Sequence, residues 1–128
     1  MKKYFFIFST IALILFSCSK EEGEGGRSSI SGTIHMTDNT GNITGEYNAP
    51  DYDVYIIYGD KDDVYDDDMK TNFDGTFQFK NLREGSYRIY TYTKADPTIT
   101  TPNVSPVFKA LDIGKNEDGN VGTIEVTK

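Results

Sequence analysis

The sequence predicts an all-β domain, an antiparallel sandwich of seven short strands, on three observations. Apolar and polar residues alternate with a period of two in several stretches. Clusters of Asn, Asp and Gly separate those stretches at short spacing. Nine Tyr and eight Phe, with no Trp and no sustained 3.6-residue period, favour strands over helices.

The strands follow in order. Ile30 to Met36 alternates, with Ile30, Gly32, Ile34 and Met36 on one face and Ser31, Thr33 and His35 on the other. Asp38 to Asn42 is turn chemistry. Asp53 to Tyr58 is apolar on both faces, the mark of a strand covered on both sides. Met69 to Asn72 reads as a short strand ahead of the turn at Phe73-Asp74-Gly75. Thr76 to Lys80 then places Phe77 and Phe79 inward. After Asn81 to Gly85 comes the long strand Ser86 to Thr93, with Tyr87 and Ile89 inward. Pro97, Pro102 and Pro106 keep the next segment irregular or at an edge. Pro106 to Ile113 and Val121 to Thr127 complete the seven.

The N-terminus has another character. Lys2 and Lys3 precede a mostly apolar run from Tyr4 to Phe16, which ends at Ser17-Cys18. A charged start, an apolar stretch and a small residue at the break describe an export signal. The run of about 13 residues is too short for a membrane-spanning helix, which needs roughly 20. Cys18 is the single cysteine, so no disulfide is available, and a lone thiol is out of place in an oxidising compartment. The arrangement resembles the lipobox of bacterial lipoproteins. That resemblance implies a helical signal peptide over 1–17, with Cys18 lipidated as the first residue of the mature chain. Ser19 to Ser29 has no apolar residue and is expected to be a flexible acidic, Gly-rich tether. The domain plan is therefore signal 1–17, lipidated Cys and tether 18–28, and sandwich 29–128. Such a tether would hold the domain on the order of 20 Å from the lipid. Lys20-Glu21-Glu22 resembles the acidic surface-export signal of Bacteroidota lipoproteins, which implies an outward-facing outer-membrane location.

Loss of Lys2 and Lys3 takes the net charge from −7 to −9. An acidic domain is repelled by phosphates, which argues against nucleic acid as a partner.

The stretch Thr71 to Ile89 contains Asp74-Gly75, Phe77, Phe79, Leu82, Gly85, Tyr87 and Ile89. It resembles the carboxypeptidase-regulatory-like domain, whose pattern runs T-x-x-D-G-x-F-x-F-x-x-L-x-x-G-x-Y-x-I. Ile30, Gly32 and Ile34 match that family's opening strand, and Val54 and Ile56 its second. The resemblance implies a transthyretin-like seven-stranded β-sandwich in which Asp74-Gly75 makes a tight hairpin. The chain departs from the pattern after the Tyr strand, where Lys94-Ala95-Asp96-Pro97 stands in place of the family's aromatic pair.

Three sets of side chains invite a site. Asp60, Asp62, Asp63, Asp66, Asp67 and Asp68 crowd one predicted loop, and hard cations such as Ca²⁺ take several carboxylates. The helix-loop-helix calcium spacing is missing, so a solvated acidic loop is the default and Ca²⁺ the lesser reading. His35 is the only histidine and is expected at the surface, with no second ligand for zinc and no partner for a nucleophile. Tyr90 and Tyr92 fall opposite Tyr87 and Ile89, hence on an outer sheet face, where Tyr55 is expected to join them. Aromatic rings on such a face suit the stacking of sugar rings. With no marked catalytic group, the sequence points to a non-enzymatic, membrane-anchored binding or accessory module for a glycan or an outer-membrane protein. The alternative is a structural envelope lipoprotein with no small ligand. No cofactor is called for.

Overall fold

The computed structural model describes residues 21–41, 45–61, 64–96, 98 and 103–128; Cys18, the signal segment, Asp62 and Asp63 lie outside the described residues. Among the described residues the chain is all-β, with eight strands. They are β1 (Glu24–Asp38), β2 (Gly45–Asn48), β3 (Asp53–Tyr58), β4 (Asp67–Lys70), β5 (Thr76–Leu82), β6 (Gly85–Lys94), β7 (Val104–Ile113) and β8 (Asp118–Thr127).

One sheet is built around β1. It pairs antiparallel with β5 along residues 24–33 and with β2 along 35–38. Its other edge carries β8, in parallel. The second sheet runs β4-β3-β6-β7, antiparallel throughout. A single apolar core lies between the sheets: Ile30, Ile34, Phe77, Phe79 and Ile124 from one, Val54, Ile56, Tyr87 and Ile89 from the other. The period-two reading of these segments is correct, because alternation fixes which residues face the core.

Four expectations need correction. The count is eight strands, not seven, because Gly45–Asn48 pairs with β1 while all four of its residues stay exposed. An exposed strand leaves no apolar alternation to read. The sandwich is not wholly antiparallel: after β7 runs toward the end where β1 begins, Gly114–Glu117 turns the chain onto the other sheet, so β8 returns alongside β1 in the same direction. The Asp74-Gly75 turn has the positive φ expected of it, +80°, but joins β4 and β5, which belong to different sheets, rather than closing a hairpin. A Cβ on Gly75 would meet the Asn48 backbone at 2.9 Å, so close approach as well as φ requires glycine. Finally, residues 24–28, expected as tether, are the opening of β1.

That opening is held by polar contacts, which is why the absence of apolar residues misleads. The Ser28 hydroxyl donates to the Gly114 carbonyl at 2.7 Å and accepts from the Glu117 N–H at 3.1 Å. Ser29 donates to Asp118 at 2.6 Å. The chain just before the strand is tied by one phenol. The Gly23 N–H donates to the Tyr87 hydroxyl at 2.9 Å, the hydroxyl donates to the Arg83 carbonyl at 2.6 Å, and the Arg83 N–H donates to the Gly23 carbonyl at 2.8 Å. Tyr87 is 1% exposed, so Tyr87→Phe leaves these groups short of a partner in a dry site. The expected cost is about 1–3 kcal/mol. It should appear as a lower thermal midpoint and as faster amide exchange at Gly23; an unchanged midpoint would show that the phenol only fills space.

Three turns share one device. Asp38, Asp74 and Asp96 each accept from the hydroxyl and the backbone N–H of the threonine two positions on, at 2.6–3.1 Å. Those bonds, the hydroxyl's first, hold each carboxyl below its ordinary value. A depressed carboxyl contributes stability above its ordinary pKa, near 3.9, and that contribution is lost as pH falls through the lowered value. Acid unfolding is therefore expected below about pH 4. Thr40→Val and Thr76→Val, which remove the hydroxyls, should move its midpoint to higher pH; circular dichroism against pH reads this directly.

Candidate functional site

The outer face of the β4-β3-β6-β7 sheet gathers the aromatic residues. Register sets Asp68 beside Tyr55, Tyr55 beside Tyr90, and Tyr90 beside Phe108, so one row crosses all four strands. Directly paired residues of adjacent strands share a face with Cβ atoms about 5 Å apart, which brings the rings into contact. Tyr55 and Tyr90 stack at 4.9 Å between centroids, 19° from parallel. Tyr92 stands edge-on to both, at 5.8 Å from each. Phe108 tilts against Tyr90 at 5.1 Å, and Tyr65, from the segment before β4, against Tyr55 at 4.8 Å. The Arg88 guanidinium carbon lies 5.6 Å from the Phe108 ring centre, a cation–π arrangement.

The three tyrosines singled out in the sequence are thus brought together, though not as three open rings. Tyr55 and Tyr90 turn their ring faces to each other, and Tyr90 is only 7% exposed. Tyr92, Tyr65 and Phe108 remain accessible, at 40%, 41% and 47%. The stacked pair is a base, and the three outer rings stay accessible around it. Burial, and then the neighbouring Asp53, pushes the Tyr55 hydroxyl up; burial, and then Tyr92, does the same for Tyr90. Both phenols are therefore neutral near pH 7 and keep their O–H as donors. Polar groups border the patch: Lys70 donates to Asp53 at 2.9 Å, and Asp68 ends the row. Aromatic surface beside a few fixed polar groups is the usual make-up of a small-molecule site.

Tyr65 and Phe108 were not singled out in the sequence. Phe108 was legible in principle, since Val107, Leu111 and Ile113 set the inward phase of β7 and Phe108 falls outside it. Tyr65 lies in irregular chain, where no period reveals a face.

Tyr92 also borders a cleft of about 470 Å³ at the end of the sandwich where β6 finishes and β7 begins, with Met36, Tyr52, Lys94, Asn103 and Val104 among its walls. The Tyr52 hydroxyl donates to the Tyr92 carbonyl there, joining the cleft to the aromatic face.

The described members of the acidic stretch take different places. Asp67 and Asp68 belong to β4 and point to opposite faces, Asp67 half-buried and Asp68 exposed. The Asp66 carboxylate accepts the Tyr58 N–H at 2.7 Å and lies 3.9 Å from Lys61. Asp60 sits in the turn after β3, and Asp62 and Asp63 lie outside the described residues. Among the described residues, no three His, Cys, Asp or Glu side chains are placed to hold a metal ion. His35 is half-buried on the outer face of the other sheet, its Nδ1 3.1 Å from the Asn48 side-chain oxygen. No helix among the described residues is long and apolar enough to cross a membrane.

No family model matches the chain, and no curated protein does. Among solved structures, the chain is similar in fold to a Pseudomonas aeruginosa protein assigned, provisionally, to carbohydrate binding. The TM-score is 0.51 at 14% identity, over 83% of this chain and 91% of that one.

Proposed function

We propose that this protein is a non-catalytic carbohydrate-binding module, held to the outer membrane by lipid on Cys18 and facing outward. The observation that carries the binding half is the five-ring cluster on one exposed sheet face, with its outer rings open beside a cleft. Sugar rings present flat C–H faces and a rim of hydroxyls, and Tyr92, Tyr65 and Phe108 offer the apolar counterpart with Asp53, Asp68 and Lys70 around them. The fold likeness to a protein provisionally placed among carbohydrate binders supports the same reading. The anchoring half rests on the signal-like N-terminus and the position of Cys18, and kinship with the carboxypeptidase-regulatory-like domains rests on the Thr71–Ile89 pattern.

The detergent-solubilised full chain applied to a glycan array tests the binding half. Retention of a defined saccharide class, and competition by the same free saccharide, are expected. Silence across the array would leave the structural envelope role instead.

A further inference from the structure

The opposite end of the sandwich, where β1 begins, carries a second and differently charged feature. A groove of about 370 Å³ is lined by Arg27, Arg83 and Lys115, with Glu84 its single acid. Three cations around one groove are notable in a domain whose charge is −9 without its first 17 residues. Of the neighbouring acids, Glu117 accepts the Gly114 N–H at 2.6 Å and Glu22 the Ser86 N–H at 3.4 Å, while Glu24 at the start of β1 is exposed. Arg83 is held in place, donating to the Glu21 carbonyl at 3.3 Å. Its guanidinium lies over Gly25, where φ is +119° and an added Cβ would come within 2.8 Å of it. Arg27 and Lys115 are exposed.

The position of this groove gives it meaning. Arg83 binds the Glu21 carbonyl, and Gly23 is bound to Arg83 and Tyr87, so contacts with the sandwich begin three residues after Cys18. Three extended residues span at most about 11 Å. On the reading that Cys18 is lipidated, the groove end of the sandwich therefore lies at the headgroup layer. β6 runs away from it, so Tyr92, seven residues beyond Gly85, is about 23 Å farther out.

We propose that the Arg27/Arg83/Lys115 groove receives the phosphate of an anionic lipid headgroup, seating the domain upright on the membrane with its aromatic face and cleft directed outward. This rests on the lipid-anchor reading and is independent of the carbohydrate one. Asp60 and Asp66 belong to the β3–β4 connection at the same end and repel such a surface. Screening over about 8 Å at physiological salt leaves contact to be decided locally, by the groove.

The lipidated full chain, reconstituted into phosphatidylcholine vesicles and into an equimolar phosphatidylcholine–phosphatidylglycerol mixture, tests this by amide exchange. Exchange in the turns at 83–85 and 114–117 should slow severalfold in the anionic vesicles alone. High salt should reverse the effect, and the exposed pair of changes Arg27→Gln and Lys115→Gln should abolish it. Equal exchange in the two vesicles, or faster exchange in the anionic ones, overturns the proposal. So does protection by inorganic phosphate in detergent with none on vesicles, which would make the groove a site for free anion. A chain that does not stay with either vesicle overturns the anchor reading, and the docking falls with it.

Discussion

Cys18→Ser is expected to remove both fatty-acid labelling and membrane partition, moving the protein to the soluble fraction. The effect should be large, because on the lipobox reading the acyl chains on Cys18 are the anchor. Each buried methylene contributes about 0.8 kcal/mol, and one acyl chain alone binds only marginally, so durable anchoring needs more than one chain on the same residue. The headgroup groove does not rescue the variant. Three cations near an anionic surface give about 1 kcal/mol each, and the remaining charge of the domain opposes them. Fractionation with a high-salt wash separates the two contributions. A Cys18→Ser protein that still pellets at high salt would place the anchor elsewhere. Wild-type protein that carries no fatty-acid label would remove the lipid altogether.

Sequence patterning recovered the fold where burial is one-sided and missed it where burial is polar or absent. Ile30 and Ile34, Phe77 and Phe79, and Tyr87 and Ile89 are all buried, and each is marked by alternation with polar neighbours. The beginning of β1 carries no such mark, because Ser28 and Ser29 are buried through hydroxyl hydrogen bonds to residues some 86–89 positions away. No local pattern encodes a partner that distant. The same limit applies to β8, since alternation says which face a residue takes and nothing about which strand lies beside it. It also explains the partial view of the site. The phase of β6 put Tyr90 and Tyr92 on the outer face, and the structure adds Phe108 and Tyr65 through cross-strand register and an irregular segment. The acidic run is a loop only in part, since Asp67 and Asp68 enter β4 and point to opposite faces.

Tyr92→Ala should weaken saccharide binding about 10- to 100-fold while leaving the fold intact. Its ring is 40% exposed and stands edge-on to the stacked Tyr55–Tyr90 pair, so truncation removes contact surface and leaves the base in place. A well-placed aromatic contact is worth roughly 1.4–2.8 kcal/mol in binding, which is the stated range of affinity. Phe108→Ala should weaken binding less, because that ring is also engaged from one side by Arg88. Phe73→Ala is the control. Phe73 is 91% exposed, far more than Tyr92, but lies in the turn between β4 and β5 with no ring beside it among the described residues. If exposure alone captured sugars, Phe73→Ala would weaken binding more than Tyr92→Ala. If the clustered face does so, Phe73→Ala is neutral and Tyr92→Ala is not. Tyr90→Ala is instead expected to lower the thermal midpoint, since its ring is buried against Tyr55 and Phe108, and to weaken binding by disordering the rings it supports. Calorimetric titration of the four variants, with melting curves alongside, separates contact from support. Unchanged affinity for both Tyr92→Ala and Phe108→Ala would show that the face serves the sheet and not a ligand.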